Sequence, residues 1–299
     1  MLARAPGLNF PDPSWFADWL DRLGDAFDGW DADPEALASL RTAWEATPPL
    51  LGRRFEVLVG WVLARDPAWE VVRTGWVVAD AGQTLGEWDL VLRERVSGRW
   101  FHVELACKFY LGVPGPHGLT WCGVNPTDTL EARLASFRGQ FQLARSGHGA
   151  AQLSEEGLRV DVEQVWMKGW WFYPLAGVAG ARPAPGAAPS APTGWWCRVS
   201  DAVAWSLQNP AYWLPLHRLD WLRGGHEQGP GAPGPHSLHP TAPPHPFPPT
   251  PLSSDAWARW LEQPLPASGV LVVQMLETST GWIELSRGMV VPDVWPRRK

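Results

Sequence analysis

The sequence predicts an α/β protein: a mixed β-sheet flanked by helices, with a helical N-terminal extension and a C-terminal β-hairpin added to the sheet. Three observations carry this. Behind two leading helical patterns, the apolar periodicity up to residue 175 changes in the order helix, strand, strand, strand, helix, strand. A hydrophobic content of 45% with 19% charged residues is that of a chain that buries a substantial core. Two runs near the end, Val270–Leu276 and Trp282–Val291, read as paired strands.

Trp15, Phe16, Trp19, Leu20, Leu23, Phe27 and Trp30 recur at three- and four-residue spacing, which makes residues 14–30 an amphipathic helix. Asp33-Pro34-Glu35 starts a second one, with Asp33 as N-cap, Pro34 in the first turn and Leu37, Leu40 and Trp44 on the inner face. Pro48-Pro49 stops it. In the third helix, Arg53–Arg65, the residues Phe55, Leu58, Val59, Val62 and Leu63 form an apolar surface, and Glu56 lies near it, where pairing with Arg53 or Arg54 is the plain expectation.

Trp69–Val78 alternates as a strand. Asp80-Ala81-Gly82 turns into Leu85–Leu92, and Ser97-Gly98 turns into Trp100–Gly112. Gly112-Val113-Pro114-Gly115-Pro116 should end the sheet run, and Trp121–Asp128 reads as a loop that finishes as a helix cap. The helix Thr129–Arg145 has Leu130, Leu134, Phe137, Phe141 and Ala144 on one side and Arg133, Arg138, Gln142 and Arg145 on the other. That basic stripe reads as a solvated face first and a phosphate contact second. Val160–Tyr173 returns to strand character, and a short helix around Trp257–Leu261 precedes the terminal hairpin.

This divides the chain into a helical extension (1–50), a core (51–175), an Ala/Pro/Gly-rich loop (176–194), a core-associated segment (195–223), a Pro/Gly/His-rich linker (224–251) and a C-terminal helix and hairpin (252–299) that complete the same domain. His226, His236, His239 and His245 in the linker are irregularly spaced and have no cysteine beside them, so a solvated linker is the better reading than a zinc site. The 22 tryptophans fall mostly at core-like positions and read as packing rather than base stacking.

A formal charge of −6 and a pI near 5.8 exclude a globally basic nucleic-acid coat but not a local basic groove. Three cysteines without CxxC spacing argue against a disulfide framework and fit a reducing compartment. No signal peptide and no apolar window of membrane-spanning length is readable, so the expectation is a cytoplasmic protein without a membrane partner.

The chemistry concentrates in residues 85–112. Glu87 and Asp89 share one strand face, and His102, Glu104, Ala106 and Lys108 share a face of the next strand. Paired, these strands bring carboxylates and a lysine together on an apolar sheet, an arrangement that a divalent cation most simply compensates. Only Lys108, Lys168 and Lys299 among 25 basic residues are lysine, which singles out the two internal ones as places for a compact, pKa-adjustable ammonium. His102 reads as a satisfied sheet-edge imidazole rather than a proton carrier.

The order helix-Glu, strand-Asp, strand-Glu…Lys, helix-Gln resembles the core of the PD-(D/E)xK nuclease superfamily. The phrases Gly86-Glu87-Trp88-Asp89, Val103-Glu104-Leu105-Ala106-Cys107-Lys108, Gly123-Val124-Asn125-Pro126 and Trp166-Met167-Lys168-Gly169-Trp170 are similar to those of an uncharacterised bacterial domain-of-unknown-function family assigned to it, from about Pro48 to Trp295. The resemblance implies a restriction-endonuclease-like fold, nucleic acid as partner and a phosphodiesterase site that uses Mg²⁺, with Mn²⁺ as substitute. It implies Glu56, Asp89 and Glu104 as metal-binding acids and Asp89, Glu104, Lys108, Gln140 and Lys168 as catalytic residues. Ala106 departs from the pattern: it occupies the usual lysine position, and Lys108 is rooted roughly 6.5–7 Å further along the strand. Lys168, from a neighbouring strand, is the other source of that charge. An inactive nuclease fold that binds nucleic acid or acts as a scaffold is the alternative.

Overall fold

The computed structural model describes residues 5, 7–177, 184, 186–222, 227–228, 247–248, 250–279 and 281–296. The four linker histidines and much of the Ala/Pro/Gly-rich loop lie outside the described residues. In chain order the elements are α1 (Pro13–Asp31), α2 (Pro34–Ala46), α3 (Leu51–Arg65), β1 (Trp69–Asp80), β2 (Gln83–Glu94), β3 (Trp100–Gly115), β4 (Gly118–Gly123), α4 (Leu130–Arg145), α5 (Gly147–Glu155) and β5 (Val162–Pro174). There follow β6 (Thr193–Arg198), α6 (Val199–Gln208), β7 (Tyr212–Leu216), a 3₁₀ turn (Arg218–Leu222), β8 (Glu227–Gln228), β9 (Leu252–Ser253), α7 (Ser254–Leu261), β10 (Val270–Thr278) and β11 (Gly281–Val291). The protein is therefore mixed α/β, with parallel and antiparallel strand pairs flanked by helices. Among the described residues no helix is long and apolar enough to cross a membrane.

The chain forms two compact units. The first comprises Met1–Lys108, Glu131–Lys168 and Pro185–Ala191. In it β1, β2, the first part of β3 and the first part of β5 lie side by side, β1–β2 and β2–β3 antiparallel. Both hairpin turns use left-handed backbone, Ala81 and Gly82 at φ 45° and 83° and Gly98 at φ 69°, which fixes the register of everything between them. One core cluster packs Trp19 and Leu23 of α1 and Leu63 of α3 against Leu90, Leu92, Phe101, Val103, Leu105 and Trp166. A second joins Ala144 and Leu153 of α4 and α5 to Val78, Trp88 and Val91.

The expected N-cap is present: Asp33 accepts hydrogen bonds from the backbone N–H groups of Glu35 and Ala36, at 2.9 and 3.3 Å. Asp66, at the C-terminal end of α3, accepts from the Trp19 indole at 2.6 Å and so ties α1 to α3. The helix α5 was not readable from its Gly- and Ser-containing sequence. Its cap, Ser146, accepts from the Gly149 N–H.

The second unit comprises Phe109–Leu130, Gly169–Ala184 and Pro192–Lys299. There the order is β5-β6-β11-β10-β7-β9, with β5–β6 and β6–β11 parallel and the others antiparallel. The terminal runs form the expected hairpin, β10–β11. One expectation is corrected: the sheet run does not end at Gly112–Pro116, and Trp121–Gly123 is not loop. The strand β3 continues to Gly115 and pairs with β4 from Gly115↔Gly118 to Tyr110↔Gly123. Pro114 lies one pair from the turn, where a missing N–H costs little, and burial of Trp121 and Cys122 rewards the pairing.

Candidate active site

All the site residues read from the sequence belong to the first unit. The register of β2 with β3 runs from Arg93↔Trp100 to Leu90↔Val103, so Asp89 and Glu104 would form the next facing pair. There the backbone ladder gives way to side chains. The Leu105 N–H donates to Asp89 Oδ2 at 2.7 Å. Asp89 thus reaches across to β3, while Glu104 is held from its own strand by His102, where the β2–β3 ladder ends.

Burial makes this pair costly. Glu104 is buried, and both acids are held well above the usual carboxylate range. For Asp89 the causes are burial first and then the charge of Glu104, with Glu56 and Glu87 adding to it. For Glu104 burial again leads, and the Glu56 and Glu87 charges push the same way. A pair so placed titrates together, and the site as it stands resists carrying two negative charges at neutral pH.

His102 is completely buried, between the rings of Trp88 and Phe141, each with its centroid 5.0 Å away. Its Nε2 lies 2.8 Å from Glu104 Oε1, and Nδ1 has no hydrogen-bond partner. The packing suits the tautomer with the proton on Nε2, donating to Glu104, because a bare lone pair is less costly to bury than an unpaired N–H. Burial lowers its pKa to about 4, so the ring is neutral and orients Glu104 without charging. The sequence reading of a satisfied sheet-edge imidazole is corrected: β3 lies inside the sheet between β2 and β5, the ring is fully buried, and only one of its nitrogens has a partner.

Glu56 is shared between two roles. Arg53 Nη1 donates to Glu56 Oε2 at 2.9 Å, and Arg53 grips Glu87 through both nitrogens, at 2.7 and 2.9 Å. This is the plain pairing expected from the sequence, extended to a second acid. The Glu56 charge still acts on Asp89 and Glu104. Among the described residues no three His, Cys, Asp or Glu side chains are arranged to hold a metal ion together. The donors that fit a cation are two hard carboxylates, each with one oxygen already anchored, which is the open, water-retaining arrangement Mg²⁺ accepts rather than a closed cage.

Gln140, on α4, directs its amide oxygen onto β2: a Cβ at Gly86 would lie 2.6 Å from Gln140 Oε1 and 2.6 Å from Leu143 Cδ2. That oxygen is buried and has no hydrogen-bond partner. Lys108 lies four residues past Glu104 on β3, and Lys168 lies on β5, where burial lowers its pKa to about 8. Groups that act on Asp89 and Glu104 include Leu105, His102, Glu56, Glu87 and Arg133. Arg133 is the cation whose field lowers the Glu104 pKa.

Fold and site together define a mixed α/β protein with a buried carboxylate pair where the β2–β3 ladder ends, an imidazole on Glu104 and an arginine clamping the neighbouring Glu56 and Glu87. The chain belongs to the family described as Domain of unknown function (DUF1853), whose model matches residues 2–291. No curated protein matches the chain, and no solved structure matches it.

Proposed function

We propose that the chain is a Mg²⁺-dependent phosphodiesterase acting on nucleic acid, with Mn²⁺ able to substitute, and that its first unit is a restriction-endonuclease-like nuclease core working in the cytoplasm. The single observation that carries this reading is the Asp89–Glu104 pair at the point where the β2–β3 ladder stops. Two acids buried side by side are costly to ionise, and the most economical relief is a divalent cation in contact with both. The resemblance to the PD-(D/E)xK order adds the phosphodiester as substrate.

When bound, the cation supplies Lewis acidity: it polarises a phosphoryl oxygen and lowers the pKa of a water. The chain does the rest. The Leu105 N–H holds one oxygen of Asp89 and His102 holds one of Glu104, leaving one oxygen on each carboxylate for the cation. Arg53 keeps Glu56 and Glu87 nearby as a second ring of negative charge. Lys168, with its pKa near 8, is the ammonium best suited to exchange a proton close to neutrality, and Lys108 is the alternative.

The test is incubation of the protein with labelled single- and double-stranded DNA and RNA in Mg²⁺, in Mn²⁺ and in chelator, beside Asp89→Ala. The expected result is cleavage by the wild type only with metal and none by Asp89→Ala, with binding retained. Equal cleavage by both proteins removes the reading. Binding by both without cleavage moves it to the inactive module.

A further inference from the structure

Four carboxylates crowd this site, and their cations are unequally committed. Arg53 is fully engaged by Glu56 and Glu87. Arg133, in the first turn of α4, makes no hydrogen bond or ion pair with any described residue, and its buried Nε has no acceptor. Its guanidinium lies over the ring of Phe137, 5.8 Å from the centroid.

Helical spacing explains where this places it. Residues 133, 137 and 141 stand one above the other. Phe137 is buried, and Phe141 packs on His102, which is 2.8 Å from Glu104. The stripe, read in the sequence as a solvated face first and a phosphate contact second, therefore has its first arginine on the border of the apolar face, with its charge felt at Glu104. Arg54 also lacks a partner for two buried nitrogens, but it stacks on Trp44 of α2, at 4.5 Å.

An unpaired guanidinium beside a carboxylate pair lacks an acceptor of its own. A phosphodiester is an anion with two non-bridging oxygens, and it needs a donor that the site acids have not already taken. We propose that Arg133 is the phosphate-gripping group of this site, donating to a non-bridging oxygen of a phosphodiester laid against Asp89 and Glu104. The assignment rests on the phosphodiesterase reading above. It places on α4 the cation that Ala106 leaves missing from β3.

The experiment labels the arginine side chains with ¹⁵N and follows the Arg133 Nε–H resonance, identified by its loss in Arg133→Lys, while dimethyl phosphate is added in Mg²⁺. The resonance is expected to shift with saturation. In parallel, Arg133→Ala is expected to bind a mixed-sequence oligonucleotide roughly 10- to 100-fold more weakly. Its salt dependence should flatten by about one phosphate contact, which a purely structural role would not change. An unmoved resonance, or an unchanged salt slope, overturns the assignment and leaves Arg133 as a counter-ion for Glu104. The nuclease reading is read out separately: loss of cleavage in Asp89→Ala with an unmoved Arg133 sinks only the arginine, whereas a shifting Arg133 without any cleavage sinks only the nuclease.

Discussion

Gly86 shows how tightly single residues are specified around the acids. A methyl group there meets Gln140 Oε1 and Leu143 Cδ2, both ends of movable side chains, so Gly86→Ala should cost only about 1 kcal/mol while displacing the Gln140 amide. Gly139→Ala, on the same helix but with nothing within 4 Å, should instead stabilise the protein by up to about 1 kcal/mol. Chemical denaturation of the two variants checks the opposite signs. Asp89→Asn keeps an acceptor for the Leu105 N–H and removes one charge from the buried pair. Without metal it should therefore melt higher than the wild type at neutral and alkaline pH, the usual exchange of stability for function at a strained site. An equal or lower melting temperature there would mean that the pair is not under repulsion.

At the scale of elements, the end of the β2–β3 ladder and the helix α4 organise the site. Because the Leu105 N–H is held by a carboxylate and not by a backbone carbonyl, Asp89→Ala should speed hydrogen exchange at Leu105 selectively and leave Val103, inside the ladder, protected. Loss of protection at both would show that the whole hairpin had opened. The Arg53 clamp joins α3 to β2 through half-exposed groups, so Arg53→Ala should cost less than about 1 kcal/mol of stability. Most of these elements could be read in advance, since α1 to α3, the three strands of the meander and the final hairpin carry clear periodicity and turn residues. The helix α5 escaped because Gly147, Gly149 and Ser154 dilute its pattern, and β4 escaped because Pro114 and Pro116 look like a terminus when they only border a turn. Within the site, Glu56, Asp89 and Glu104 were legible as acids on neighbouring elements. The Arg53–Glu87 clamp, the His102–Glu104 contact and the position of Arg133 depend on side-chain packing across sequence separations that periodicity does not encode.

For the whole molecule, the buried titrating groups set how stability changes with pH. Asp89 and Glu104 hold protons more tightly folded than unfolded, so in the absence of metal stability falls as pH rises from the ordinary carboxylate range through their raised folded pKa values. His102 acts oppositely: its folded pKa of about 4 lies below the ordinary 6.5, so it removes stability as pH falls through that interval. A cation that binds the acid pair displaces protons from it and should raise the melting temperature more at alkaline than at acid pH. A pH-independent increase would place the ion elsewhere.

Calorimetric titration of Mg²⁺ into the metal-free protein, in two buffers of different ionisation enthalpy, measures both the affinity and the protons released. The acid-pair site predicts saturable binding by the wild type with net proton release near neutral pH, and neither binding nor release in Asp89→Asn or Glu104→Gln. No binding by the wild type, or binding that these two variants retain, would contradict it.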